Sequence, residues 1–453
     1  MKTRGDNPVV AHPFKNSKQP DMKSHIIRII ILALALAPAF LHSQVPAPVP
    51  PQAQPVCITG ATAHLGNGRV IENSFIAFAE GKITLVGSAS QAPADLSAYR
   101  VIEAAGRHVY PGFIAPATSL GLVDISSVRA TRDFQETGDM NPSVRSLIAY
   151  NTDSEVIATV RARGVLLAQV SPEGGRISGT SSVVQLDAWN WEDAAYRVDD
   201  GLFLNWPVLS SFNWREQSVS ENKDYAKQVG EVRDFFREAK AYLDNPGPAQ
   251  KNLKFEAMRP LFAGQQRLYV RAQDAKAIAH AVQFASEFGL KAAIVGGRDA
   301  WMVASLLKEN EVAVVLQKTH SLPPRVDSDI DQPFKTPAAL EEAGVLYCFS
   351  NDGYWQQRNL PFQAGQAIGY GLSHEKAVQA LTLNPAKIMG IDARTGTLET
   401  GKDANLFISA GDALDLRTSR PSHVFIQGRE ITLEDKQKSL YEKFKAKYQQ
   451  RRR

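Results

Sequence analysis

Apolar residues along this chain fall into short runs, and what separates the runs changes along the sequence. From residue 109 to 394, runs ended by polar or turn residues alternate with stretches of helical period. The strand candidates are Val109 to Ile114, Val165 to Val170, Ser182 to Leu186, Leu202 to Trp206, Leu268 to Val270, Ala292 to Val295, Val312 to Leu316 and Val345 to Phe349. Helical period runs over Val144 to Arg163, Asn222 to Leu243, Ala275 to Phe288, Asp299 to Lys308 and His374 to Met389. Strands alternating with helices predict a parallel sheet closed into a (β/α)8 barrel of the triosephosphate isomerase type.

On either side of that region the helical period disappears. Residues 56–108 read as short strands with glycine turns, Gly66-Asn67-Gly68 before Val70 to Phe78 and Glu80-Gly81-Lys82 before Ile83 to Val86. Residues 395–432 supply more strands of the same kind. Too few at either end to close alone, they predict one small composite β-sandwich domain built from both termini. The α/β barrel of residues 109–394 lies between its halves. Residues 433–453 read as a basic C-terminal helix, a solvated face or a binding arm. Residues 44–55 are a Pro- and Ala-rich linker.

The first 43 residues change the localisation. Lys23 and Arg28 precede an apolar run from Ile29 to Phe40, and Ser43 follows at a plausible cleavage point. The run is shorter than the ~20 residues a membrane span requires, so a secretory signal peptide over residues 22–43 is expected, with export to the periplasm or beyond and no membrane span after cleavage. Either Met1 or Met22 can be the start. The same segment removes the chain's charge: the whole protein is +4, but six Lys/Arg and two Asp/Glu precede residue 44, leaving 45 of each sign. A neutral mature chain has no global field to draw it to nucleic acid. Cys57 and Cys348 are far apart, with no Cys-x-x-Cys spacing. They are read as two buried thiols or a single bridge, not a zinc site.

The stretch from Val109 to Leu122, Val-Tyr-Pro-Gly-Phe-Ile-Ala-Pro-Ala-Thr-Ser-Leu-Gly-Leu, and the later Gly396-Thr-Leu-Glu-Thr-Gly-Lys-Asp-Ala-Asn405 carry a family pattern. They resemble the amidohydrolase superfamily, whose signatures read Pro-Gly-Phe-Ile-Asp-x-His-x-His and Gly-x-Leu-x-x-Gly-Lys-x-Ala-Asp. The resemblance runs from about Val56 to Ile431. It implies a hydrolase acting on carbon–nitrogen bonds other than peptide bonds, using zinc or another divalent metal at the barrel mouth. Gly174-Gly-x-Ile-Ser-Gly179 and Trp189-x-Trp-Glu-Asp193 look like loops of a secreted, imidazolonepropionase-like branch. The family pattern also implies where ligands should stand, and here they are missing. Ala115, Ala117 and Ser119 replace the Asp and two His of the first strand. Asn205 or Trp206, Arg271 and Gly296 stand where the fourth, fifth and sixth strands should give ligands, and Asp352 alone stands at the end of the eighth. No metal cofactor is therefore expected at this site.

The other histidines offer no replacement in sequence. His12, His25 and His42 precede the mature chain, His64, His108 and His423 fall in or next to the small domain, and His280 and His374 sit on helix patterns; His320 follows the seventh strand. Asp352 is either a general acid/base or an ion-pair partner of Arg271. His320 is either a proton donor to a ligand or a satisfied loop histidine. The candidate catalytic residues are Asp352 and His320, with Arg271, Trp189 and Trp191 as substrate-binding candidates. The tryptophan cluster, with Trp206 and Trp214, reads as core or as a cleft lining. The glycines of Pro172 to Thr180 lack a P-loop ending and read as a tight turn. Three functions are compatible with this pattern: a non-catalytic protein that binds a small amide or cyclic amide, or that partners an active paralogue or its own copies; a hydrolase with a rebuilt, metal-poor site; or a structural envelope protein.

Overall fold

The computed structural model describes residues 47–450 apart from 214, 217, 246–249, 324, 326 and 327. The expected signal peptide and Trp214 lie outside the described residues. Eight strands form the barrel sheet, in the order Phe113–Thr118, Val165–Val170, Ile177–Gln185, Ala195–Asn205, Arg267–Ala272, Ala292–Gly296, Ala313–Leu316 and Tyr347–Phe349. The sheet is nearly closed. Side chains bridge the seam between first and last strands, with Ser350 Oγ donating to Pro116 O (2.5 Å) and Thr118 Oγ1 to Gly353 O (2.6 Å).

The barrel departs from eight repeated β/α steps at its third strand. Ile177–Gln185 runs antiparallel to both neighbours, all other pairs being parallel. The glycine stretch is the tight turn that permits this. Gly174 and Gly175 have φ of +82° and +60°, and a Cβ on Gly175 would come within 2.8 Å of Asp139 O. The strand is longer than its apolar part because Ser178, Thr180, Ser181 and Ser182 are buried with it. Their hydroxyls all have partners: Ser181 Oγ donates to Asp200 Oδ1 (2.8 Å) and Thr180 Oγ1 to Val144 O (3.2 Å), while Ser178 Oγ accepts from Asn205 Nδ2 (3.0 Å) and Ser182 Oγ from Asp199 N (2.9 Å), so burying them carries little penalty.

Local chemistry also shortens the expected helices. Only Glu155–Arg161 of the 144–163 pattern is α-helical, because Asn151 Oδ1 takes the backbone N–H of Asp153 in a turn just ahead of it (3.0 Å). The 374–389 pattern breaks at Thr382 into His374–Leu381 and Leu383–Ile388, where Pro385 cannot continue the first ladder. Around the barrel, Phe236 meets Phe284 edge-on (4.9 Å) and Phe284 meets Phe288 (5.0 Å). Each such buried ring contributes about 1.5–3 kcal/mol.

Pro111-Gly112 hands the chain from the small domain to the barrel. His108–Pro111 belongs to the small sheet, Phe113–Thr118 to the barrel, and Gly112 between them packs so closely that a Cβ would meet Leu166 Cδ1 at 2.6 Å. Both termini do build the small domain: Leu406–Ser409, Pro421–Ile426 and Arg429–Glu430 join five strands from residues 56–111 in one mixed sheet. That sheet buries Ile58, Ile76 and Phe78 in one cluster and Cys57, Phe75 and Ala77 in another. Cys57 and Cys348 are both free and buried. Lys436–Gln450 forms a C-terminal helix with no buried residue. No helix of the described residues is long and apolar enough to cross a membrane.

Candidate functional site at the barrel mouth

Strand ends place side chains, so the segments just beyond the C-terminal ends of the parallel strands build the mouth. The ends of the fifth to eighth strands surround a cavity of about 1070 Å3, whose lining includes Gln273, Arg298, Lys318, His320 and Asp352. Two of the candidates from sequence, His320 and Asp352, therefore share one space.

Asp352 pairs with Lys318 Nζ at 2.5 Å, and the expected pairing with Arg271 is not formed. The reason is the direction of Arg271. From the fifth strand its guanidinium turns across the barrel, Nη2 donating to Pro172 O (3.0 Å) and Ser171 Oγ (3.3 Å) and Nη1 to Asn205 Oδ1 (3.3 Å). Cζ lies 4.5 Å from the centre of the Phe203 ring. Burial pulls its pKa down to about 10, against a smaller opposing effect of Glu173. Arg271 is thus a capped internal cation, and it does not line the cavity.

His320 is held by Gln363. Gln363 Oε1 accepts from the backbone N–H of Thr319 (2.8 Å) and of His320 (2.9 Å), which fixes the amide so that its Nε2 donates to His320 Nδ1 (3.1 Å). The neutral imidazole then carries its hydrogen on Nε2. Partial burial lowers the pKa of His320 below its ordinary value, which favours this neutral form. A ligand in the cavity meets a hydrogen-bond donor there.

Trp189 and Trp191 are not at the mouth. Because the third strand is antiparallel, its C-terminal end, Gln185, pairs with Leu167 near the start of the second strand, so the loop beyond it emerges at the floor. Trp189 is 67% exposed there, while Trp191 packs partly buried against the core. Trp206 takes the core reading, its Nε1 donating to Tyr225 Oη (3.0 Å).

Inside the barrel lies a polar group that the sequence did not mark. Asp200 is fully buried and accepts from Ser181 Oγ (2.8 Å), Gln169 Nε2 (2.7 Å) and Tyr269 Oη (2.9 Å). Burial raises its pKa although all three donors oppose the shift. Gln169 Oε1 in turn accepts from Ala117 N (3.1 Å), which holds Ala117 in the left-handed region, φ +50°. The only signal was a polar Asp199-Asp200-Gly201 interrupting a strand.

The residues at the mouth do not fit the metal that the family resemblance implies. Ala117, Ser119, Asn205, Arg271 and Gly296 provide no imidazole or carboxylate, and Asp352 is held by Lys318. A Cβ on Gly296 would come within 2.3 Å of Gln273 Nε2, and Gln273 is itself tied to Gln317 Oε1 at 2.7 Å. An imidazole on the sixth strand would have to displace that pair. Among the described residues, side chains able to hold a metal converge elsewhere, at His64, His374 and Glu375.

The barrel and the returning half of the small sheet have counterparts in known proteins. Residues 256–431 match the model of the Amidohydrolase family. Over those residues the chain is similar to the amidohydrolases. The matched segment starts beyond the antiparallel strand and the altered first-strand signature, and takes in the last four barrel strands and the returning half of the small sheet. Among solved structures, an amidohydrolase from Thermotoga maritima MSB8 is similar over 83% of this chain and 99% of its own, at 24% identity and a TM-score of 0.72. An adenosine deaminase from Xanthomonas campestris with bound zinc is similar over 84% of this chain and 93% of its own, at 16% identity and a TM-score of 0.51. A putative prolidase from Bifidobacterium longum covers 85% and 97%, at 16% identity and a TM-score of 0.50. These likenesses are of fold. No curated protein matches the chain.

Proposed function

We propose that this amidohydrolase-like protein uses its barrel mouth to bind a small polar ligand of the amide or cyclic amide class, with the metal-dependent hydrolysis of carbon–nitrogen bonds weak or lost. The observation that carries this reading is the Arg271 guanidinium, half-buried across the mouth and hydrogen-bonded to Ser171, Pro172 and Asn205. A fixed cation there opposes a second one, and Ala117, Ser119, Asn205 and Gly296 at the strand ends beside it supply no imidazole or carboxylate to offset it. The cavity beside it offers Lys318 and the Nε2–H of His320 as donors and Asp352 as an acceptor, which is the complement of an amide.

A second reading rests on the same cavity. His320 and Asp352 are both there, and a carboxylate with a neutral imidazole is enough for acid–base chemistry on a bound water. Calorimetric titration and a turnover assay with a panel of cyclic amides and N-acylated amino acids, with and without added zinc, test both. Binding without turnover is the expected result. Turnover that needs no metal moves the conclusion to the rebuilt hydrolase, and zinc-dependent turnover overturns the proposal.

A further inference from the structure

Where the small sheet meets the barrel's outer helices, ionisable side chains converge from four separate parts of the chain. His64 ends the strand Val56–His64, His108 opens His108–Pro111, His374 and Glu375 open the helix His374–Leu381, and Asp412 comes just after Leu406–Ser409. None of them lines the barrel-mouth cavity.

Their arrangement is specific. Glu375 Oε1 lies 2.7 Å from His64 Nδ1 and 3.0 Å from His374 Nδ1, so both imidazoles present the same ring nitrogen to one carboxylate. The other nitrogen of each ring is engaged behind: His374 Nε2 with Asp412 Oδ1 and His64 Nε2 with His108 Nδ1, both at 3.1 Å. Tyr110 lies flat on His64, centroids 4.4 Å apart and planes 2° from parallel, and its hydroxyl donates to Asp412 Oδ1 (3.1 Å). The remaining oxygen of Glu375, Oε2, is buried and has no hydrogen-bond partner among the described residues.

We propose that His64, His374 and Glu375 bind a divalent cation of the zinc type, which fastens the small sheet to the helix His374–Leu381. Two imidazoles and one carboxylate are a three-ligand set that zinc accepts, leaving a fourth position for water. Calcium and magnesium prefer oxygen-only shells, and this set is mostly nitrogen. The outer contacts have the form that metal histidines need. A hydrogen on Nε2, directed at Asp412 or at His108, leaves the Nδ1 lone pair free for the ion and fixes the ring's orientation. An orphaned carboxylate oxygen is otherwise costly to bury, and a cation beside it removes that cost. Metal–ligand bonds of about 2.0–2.1 Å in a tetrahedron separate ligand atoms by ~3.3 Å, and the three candidate ligand atoms here already lie within 4.8 Å of one another.

The test uses the full chain, stripped with a chelator and then given zinc or cobalt(II). One equivalent of zinc per chain is expected by elemental analysis, with visible absorption of the cobalt form typical of four-coordination. A melting temperature raised by a few degrees is also expected when the ion is ~100-fold above its Kd. His64→Gln and Glu375→Gln should each lower zinc affinity by more than ~100-fold, and Asp412→Asn by about 10–100-fold. Should His64→Gln fail to fold, His374→Gln replaces it. Asp352→Asn and His320→Gln should bind zinc like the parent. A chain that takes up no ion and melts unchanged overturns the proposal, and shows these residues to be a hydrogen-bonded network alone. Ion binding lost in Asp352→Asn but kept in Glu375→Gln also overturns it, and that outcome would separately refute the reading of the barrel mouth. A failure of amide ligands to bind leaves every readout here unmoved.

Discussion

At the floor of the barrel Asp187 is buried between two guanidiniums, Arg161 Nη1 at 2.7 Å and Arg429 Nη1 at 2.8 Å, while at the mouth Asp352 shares one ammonium, Lys318, with solvent. The Asp187 side chain is 1% exposed and that of Asp352 is 42%. Both sites place a carboxylate beside cations, but the first joins elements that must stay together and the second faces an open cavity. Arg161 comes from the helix before the second barrel strand and Arg429 from the last strands of the small sheet, so Asp187 ties the small domain to the barrel. The contrast teaches that burial, not the presence of a pair, tells a structural ion cluster from one available to a ligand.

The strongest way to break this comparison is to remove Asp187. Asp187→Ala strands two guanidiniums in the interior, and a loss of about 3–5 kcal/mol in urea unfolding is expected; a loss below ~1 kcal/mol would mean the floor cluster is no more structural than the mouth. The same measurement on Asp352→Asn should show less than about 1 kcal/mol, because an exposed pair contributes little. Adding Arg271→Met to it should give no rescue, since Arg271 is bound to Ser171, Pro172 and Asn205 instead. An Asp352→Asn protein that is markedly unstable and recovered by the second change would restore the ion pair that sequence alone suggested.

The smallest effect concerns pH. Burial lowers the folded-state pKa of His320, below an unfolded value of ~6.5. Its stability contribution is then complete above ~6.5 and is lost as pH falls through the lower folded value. The groups facing it are Gln363 and Phe334, neither of which titrates. Comparing His320→Gln with the parent in melts from pH 7 to 5 should therefore show a shallower decline in the variant. A steeper one would mean that the imidazole gains a partner on protonation.

Much of the architecture was legible because it is written in local pattern. The last four barrel strands are continuous apolar runs bounded by turns, whereas the run Val109 to Ile114, read as one barrel strand, is divided at Gly112 between the two sheets. Asp352 and His320 reach the mouth because they lie just past strand ends. The hidden part depends on neighbours distant in sequence. Ser178, Thr180, Ser181 and Ser182 look like a loop until Asp200 and Val144 accept from two of them and Asn205 and Asp199 donate to the other two. Lys318 reaches Asp352 because it is long and flexible, while Arg271 is captured by carbonyl and hydroxyl groups across the barrel. His64 and His374 looked unrelated in sequence, since the carboxylate between them belongs to a helix 311 residues away from His64.

The reversed third strand has a consequence for how the chain reaches this structure. A parallel neighbour can pair only after a long crossover has been closed, whereas Val165–Val170 and Ile177–Gln185 meet across the local connection from Ser171 to Ser181, with Val170 opposite Ser182. Closing so small a loop costs little chain entropy and is fast. Ala195–Asn205 then adds to the exposed edge of that hairpin across another short connection. The three strands make a locally connected seed within a fold otherwise dominated by distant pairings, and such a seed offers the order of assembly a natural starting point. In this barrel the turn over the mouth is also where folding can begin.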